Sequence, residues 1–391
     1  MDNNPVPMAP RSQSTLLAWT MLVLLSVAML GNYYVYDSIA PVADLLRSER
    51  GLSNTQIGSL NAVYSLPNLI MVLVGGIVID RIGATRGVVM FAALCAAGAL
   101  WFALGTSYLQ MVLARFVFGL GAESMIVGVT TAIGRWFGAG RLGLALGLNL
   151  SLARAGSFAA DMSPGWARTL YDHGCQQPLL LAAGFAGLSL LAGILAWILD
   201  ARLGVPIPPA QATDGGFRLR QGLRFPPAYW SLVGLCVAIY SVLLPFRSTF
   251  AIQYFQDAHG MSREAAGQLN GTVFLAAIFG TPLFGYYLDQ PGRRARALLL
   301  GAGLLLPVFP MLAFTTWTPW IANVLLGLAY SMVPAVLWPC VTRLVEPQRL
   351  GTAYGLCFMV QNIGLMLANL AAGALNDGFG ASAQHAAGYQ P

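Results

Sequence analysis

Two charged residues stand in the middle of runs that are otherwise apolar: Glu123 in "FGLGAESMIVGVTTAIGRWF" and Arg154 in "LGLNLSLARAGSFAA". A carboxylate holds an ammonium group, and a guanidinium grips a carboxylate through two parallel hydrogen bonds. Together they suit the two ends of a small zwitterion. The plain alternative is a buried salt bridge that orients two helices, a poor source of stability because desolvation roughly cancels the attraction. Asp37 and Arg247 form a second opposed set, with Tyr33, Tyr34 and Tyr36 supplying hydroxyls and ring faces nearby, and Arg115 is a third cation inside an apolar run. Asp37, Glu123 and Asp161 are the acids placed to titrate, because His173, His259 and His385 read as loop residues. The five cysteines show no metal or disulfide spacing. No nucleophile–base pair and no phosphate loop is visible, so neither an enzyme nor any cofactor or metal is expected.

The elements that carry these residues follow from composition. Of 391 residues 57% are hydrophobic and 9% charged, whereas soluble domains carry about 25% charged residues. Apolar runs near span length recur at 16–44, 55–79, 87–106, 109–133, 142–167, 177–199, 227–256, 265–288, 296–315, 318–342 and 350–375. An all-α polytopic membrane protein of eleven spans is expected. Every basic residue is an arginine. Most lie at the amino end or in alternate loops, while Arg47, Arg50, Arg168 and Arg263 lie in the other loops. That bias places the amino terminus in the cytoplasm and makes the net charge of +6 a topology signal rather than a nucleic-acid footprint.

The chain repeats itself. "GGIVIDRIGATR" returns as "FGYYLDQPGRRA", and "RLGLALGL" as "RLGTAYGL", at offsets of 209 and 208 residues. One near-constant offset means two homologous six-helix bundles, the arrangement of transporters that rock about a central site. The expected organisation is a cytoplasmic tail (1–15), a first bundle (16–200), a Pro-, Gly- and Arg-rich cytoplasmic linker (201–226) and a second bundle (227–391). Asp80, Arg81, Gly83 and Arg86, with Asp289 in the second copy, suggest a charge-and-turn latch that holds the cytoplasmic side closed; the plain alternative is that these arginines only set topology.

These features carry a resemblance. "GxxxDRxGxxR", its partial second copy and "RFVFGLG" resemble the signature motifs of the major facilitator superfamily. "GNYYVYDSIA", "YSLPNLIMVLVGGIVIDRIG", "FGLGAES", "LGLNLSLARAGS" and "LGTAYGLCFMVQNIGL" are similar to one family within it, the lysosomal dipeptide transporters called major facilitator superfamily domain-containing protein one. The resemblance implies a major facilitator fold, alternating access, and a dipeptide clamped by Glu123 at its amino end and Arg154 at its carboxyl end. Arg247 departs from that family, and no sorting signal stands in the short tail. Arginine without lysine fits a GC-rich bacterium, so a bacterial inner membrane is expected in place of a lysosomal one.

Superposing the halves by the offset puts Glu123 on Ser331, Arg154 on Asn362 and Arg115 on Asn323, so the buried charges occur in one bundle only and read as additions for function. Glu123 and Arg154 both fall roughly 16–18 Å from the cytoplasmic face at 1.5 Å per residue. Each alone would cost about 2.5–3.5 kcal/mol at that depth. An extended dipeptide separates its charges by about 7 Å. The expected binding residues are therefore Glu123, Arg154, Tyr33, Tyr36 and Asn362. Asp37 and Arg247 are expected as an outer gate, the alternative being solvated vestibule charges, and Arg115 as a residue of the helix interface and local potential. A carboxylate exchanger gripping cargo with Arg154 and Arg247 is the second reading, a non-transporting receptor or scaffold the third. The expected partners are a small zwitterion and the lipid bilayer, with no nucleic acid. The chain is expected to act as a monomer, with room for an accessory membrane subunit that nothing indicates. No span-length run follows residue 375, so the twelfth helix of the repeat is expected to be missing, with Asp377 and His385 in an outer loop.

Overall fold

The computed structural model describes residues 15–137, 139–203, 225–288, 293–315, 318–346 and 349–389. The expected tail and linker fall almost wholly outside these residues, as do Asp289 and Gly292. No strand occurs among the described residues, which hold a single isolated bridge between Ser382 and His385.

The first half consists of α1 (Thr15–Asp37), the short surface helix α2 (Ala43–Arg50), α3 (Asn54–Ile82), α4 (Ala84–Leu104), α5 (Tyr108–Trp136), α6 (Ala139–Trp166), the one-turn α7 (Arg168–Tyr171) and α8 (Gln176–Leu203). The second half holds α9 (Pro227–Pro245), α10 (Ala251–His259), α11 (Arg263–Leu288), α12 (Arg293–Leu305), α13 (Val308–Phe314), α14 (Pro319–Leu344) and α15 (Leu350–Gly378). Local chemistry sets the ends. Ser53 and Gln56 form a reciprocal cap on α3, and Ser107 and Gln110 do so on α5. Gly83 joins α3 to α4 at φ +95°, a conformation that a side chain resists.

Two expected spans change their winding at a proline, though each still counts as one candidate crossing. The span expected at 227–256 is α9, a π turn over Phe246–Phe250, and α10. Pro245 supplies no N–H at that point, and the backbone answers with a wider turn. The span expected at 296–315 divides into α12 and α13 around Pro307. Among the described residues nine helices are long and apolar enough to cross a membrane, ten if the bent halves of α3 count as one. The 26-residue α11 is not one of them. It carries Gln268, Asn270 and Thr272, and uses Asn270 against the first half. Asp377 lies in the last turn of α15 rather than in a loop.

Each half is a layered bundle. In the first, α1 packs on α6 and α8, and α5 on α3 and α4. In the second, α9 packs on α15, and α14 on α11 and α12. Large apolar side chains such as Ile70, Phe279, Leu299 and Leu306 are exposed on the outside, as lipid requires. The halves meet along two seams, α3 against α15 and α6 against α11. Both seams are made by missing side chains. A Cβ at Gly373 would lie 2.6 Å from the Asn54 carbonyl oxygen and 2.8 Å from Thr55 Cα, both backbone atoms that cannot step aside. On the other seam a Cβ at Gly267 would strike the Asp161 carbonyl.

Gly373→Ala is therefore expected to destabilise the protein by about 1–3 kcal/mol through overpacking, read as a lower thermal midpoint in detergent. Gly184→Ala, where a Cβ meets nothing within 4 Å, should leave the midpoint unchanged or raise it.

Candidate functional site: the cavity between the halves

A cavity of about 330 Å³ opens between the halves. The first half lines it with Tyr33, Tyr36, Asp37, Tyr64, Glu123 and Arg154, and the second with Tyr240, Tyr330, Trp338, Phe358, Gln361 and Asn362. The two walls differ in kind, ionic and phenolic on one side and mostly aromatic on the other.

Glu123 and Arg154 share the cavity and do not pair with each other; no ion pair joins them among the described residues. Tyr64, tilted against Tyr36 and Phe118, donates its hydroxyl to Glu123 Oε1 at 3.0 Å. Arg154 reaches across to the second half. Its Nη1 donates to the Ala277 carbonyl at 3.1 Å and to Thr281 Oγ1, and its guanidinium carbon lies 5.2 Å from the Tyr330 ring centroid. Its Nε and Nη2 have no protein partner among the described residues and are not sealed from the cavity. The salt bridge weighed as the plain alternative is thus not formed. An acceptor and a bidentate donor face one space, each with hydrogen-bonding capacity to spare.

Tyr33 and Tyr36 line the same cavity. Asn362, the repeat-mate of Arg154, lies on the opposite wall, donating to the Phe358 carbonyl at 3.0 Å while its Oδ1 is buried without a partner. Asn32, which sequence reasoning passed over, also lines the cavity with a buried, unpartnered Oδ1. Its sequence signal is slight, a lone carboxamide one turn before Tyr36 and beside three tyrosines.

Asp37 and Arg247 come together. Arg247 Nη1 donates to Asp37 Oδ1 at 2.6 Å, Nη2 donates to Asp161, and the guanidinium sits 3.6 Å from the Phe274 centroid. All three charged residues are buried, so they are not solvated vestibule charges.

Arg115 is a brace. It donates to Asn61 Oδ1 at 2.5 Å and points at the carbonyls of Leu60, Val35 and Tyr36, joining α5 to α3 and α1. Its repeat-mate Asn323 donates to the Leu269 carbonyl, the equivalent bond between α14 and α11. The absence of charge in the second half therefore does not mark Arg115 as an addition for function: a neutral amide performs the same bracing there.

The latch residues stand apart. Asp80, Arg81 and Arg86 are exposed, with no hydrogen bond or ion pair among the described residues, while Gly83 makes the turn expected of it. Asp200 at the end of α8 gathers that corner instead, accepting from Thr85 at 2.8 Å and Trp136 Nε1 at 3.1 Å, with Arg135 at 3.9 Å. The halves are held at the opposite end, the one that carries α2. Arg263 pairs with Asp44 at 2.6 Å, Arg47 with Asp257 at 3.1 Å and Arg168 with Glu264 at 3.2 Å. Asp377 accepts from the backbone N–H groups of Asn54 and Thr55 at 2.9 and 2.8 Å, a carboxylate of one half seated on a helix N-terminus of the other.

Residues 25–382 match the Major Facilitator Superfamily. The chain is 34% identical over 384 residues to the human (Homo sapiens) lysosomal dipeptide transporter MFSD1, covering 93% of this chain and 81% of that one. Two solved structures share the fold. One is a bacterial homologue of the human lysosomal transporter Spinster, inward-facing and unoccupied, with TM-score 0.74 and 17% identity over 94% of this chain and 84% of that one. The other is the nucleoside transporter NupG, with TM-score 0.76 and 12% identity over 95% and 97%.

The brace role of Arg115 generates its own test. Arg115→Met should lower stability by about 1–3 kcal/mol by leaving buried acceptors unpaired, read as a fall in thermal midpoint in the absence of any ligand.

Proposed function

The chain belongs to the Major Facilitator Superfamily, a multi-pass membrane transporter and not an enzyme, and we propose that its cargo is dipeptides or similar small zwitterions carried by alternating access. The observation that carries this reading is the unpaired acid and guanidinium sharing one cavity between the halves. Glu123, held by Tyr64, takes the ammonium end. Arg154 takes the carboxylate with its free edge. Tyr33, Tyr36 and Asn362 stand around the peptide between them. The likeness to a dipeptide transporter over nearly the whole chain supports the same cargo.

The geometry also suggests how cargo acts on the halves. Arg154 also donates to Ala277 and Thr281 of α11. A cargo carboxylate taken by the free edge leaves these Nη1 bonds in place, so one guanidinium then joins the cargo to both halves. The positive-inside bias favours an amino terminus in the cytoplasm with the α2 end outward, and arginine without lysine favours a bacterial inner membrane. The ion pairs at the α2 end then hold the outer side closed, with Asp37 and Arg247 as the innermost part of that gate. The carboxylate-exchanger reading is weakened, because Arg247 is already held by two carboxylates and offers no second grip.

Capping either end of a dipeptide should cost at least about tenfold in affinity, the loss of one charge-assisted contact of roughly 1.5–3 kcal/mol. Arg154→Lys should lose the fork while keeping the charge, and Glu123→Gln should weaken recognition of the amino end. A thermal-shift series of dipeptides, free amino acids and monocarboxylates on purified protein reads all of these. Equal stabilisation by uncapped and doubly capped peptides would overturn the clamp.

A further inference from the structure

Both groups proposed to hold the ends of the cargo stand on one wall of the cavity, which leaves the other wall to face its side chains. Glu123 and Arg154 belong to the first half, and no charged residue of the second half lines the cavity among the described residues. That half presents a cluster of rings instead, Tyr240 on α9, Trp338 on α14 and Phe358 on α15. Trp338 stacks on Phe358 with centroids 4.7 Å apart and planes 22° from parallel. The Tyr240 ring stands 6.3 Å from the indole on its other side chain contact. Tyr354, outside the cavity lining, donates its hydroxyl to the Trp338 carbonyl at 2.9 Å and sets its ring 6.2 Å from the indole. Leu244 and Leu365 extend the same wall with aliphatic carbon. Tyr330 is already engaged, since the Arg154 guanidinium lies 5.2 Å from its ring centroid.

Successive side chains of an extended backbone project to opposite faces. A dipeptide stretched between Glu123 and Arg154 therefore turns one side chain toward the second half and the other away from it. The chemistry of the ring wall decides what the first of these can be. An aromatic or large aliphatic group gains by leaving water, and an aromatic ring gains further from tilted or offset contact with other rings. A cationic group gains a ring face but gives up its water where no spare carboxylate awaits it: Asp37 is held by Arg247, and Glu123 is taken by the amino end. A carboxylate fares worse, because ring faces carry the negative side of the aromatic quadrupole and Arg154 is taken by the carboxyl end.

We propose that Tyr240, Trp338 and Phe358 form the side-chain pocket of the cargo site, and that it selects dipeptides bearing an aromatic or large aliphatic residue. Trp338 is the specificity-determining residue, because it contacts both of the other rings and is itself held by Tyr354 from behind. The end clamp sets which molecules bind as dipeptides, and the ring wall ranks them.

This inference rests on the dipeptide reading, and its test separates the two. Dissociation constants are measured by calorimetry on the full chain in detergent, using glycine dipeptides whose other residue is Phe, Leu, Ala, Lys or Asp, each in both orders. In the better order, the Phe dipeptide should bind about tenfold or more tightly than its Ala counterpart. Leu should follow Phe, while Lys and Asp bind no more tightly than Ala. Trp338→Ala should bring the Phe-to-Ala ratio close to one, and Trp338→Phe, which keeps a ring, should retain most of it. Taking the ratio within each variant removes any general loss of stability. Phe and Ala dipeptides that bind alike, Lys or Asp dipeptides that bind ahead of Phe, or a ratio unchanged in Trp338→Ala would each overturn the pocket while leaving the end clamp standing. Failure of every dipeptide to bind would overturn the cargo reading itself, and the pocket with it.

Discussion

A charge carried into an apolar slab must be met by something, and three arginines in this chain are met in three different ways. Arg115 is surrounded by carbonyls and an amide and becomes part of the scaffold. Arg247 is shared between two carboxylates of the opposite half and becomes a tie. Arg154 is half satisfied by α11 and keeps part of its fork in the cavity. The same physical demand yields a brace, a tie between the halves and a guanidinium left partly open to the cavity. What separates the three is the identity of the partner and which half supplies it.

The internal repeat explains where those differences sit. The crossing of α5 on α3 recurs as α14 on α11: a Cβ at Gly119 would lie 2.5 Å from the Tyr64 carbonyl oxygen, and one at Gly327 would be a tight fit 3.0 Å from Ala276 Cβ. Arg115 and Asn323 brace the two crossings in the same place. Duplication thus preserved the bracing, while the ionic wall of the cavity is concentrated in the first half and the aromatic wall in the second.

Much of this was legible in the residues. Composition and run length are additive properties, so the all-helical membrane class followed directly, and the constant offset exposed the two bundles. Glu123 and Arg154 stood out because charge is rare in such runs, and Asp37 found its expected partner. Helix breaks were harder to read. Pro245 interrupts a run that stays hydrophobic on both sides, so hydropathy carries no trace of the π turn. The role of Asp161 depended on which helix faces α6 across the seam, a relation between distant segments. The ties at the α2 end escaped notice for the same reason: Asp44, Asp257 and Glu264 are unremarkable loop and helix-end acids until folding sets each beside an arginine of the other half. Asp80, Arg81 and Arg86 drew attention through their pattern, yet they stand exposed while the less conspicuous Asp200 gathers that corner.

The glycine-lined seams have a mechanical consequence. Interdigitated side chains act like gear teeth, and two helices so meshed must unpack before either can shift. Where Gly373 faces Asn54 and Gly267 faces Asp161, backbone lies against backbone with no side chain between them. Such a contact is a plain bearing, close enough for strong dispersion contact yet smooth along its length. Side chains there need not unmesh before one bundle shifts on the other, and what ties the two across that end is the set of ion pairs beside α2.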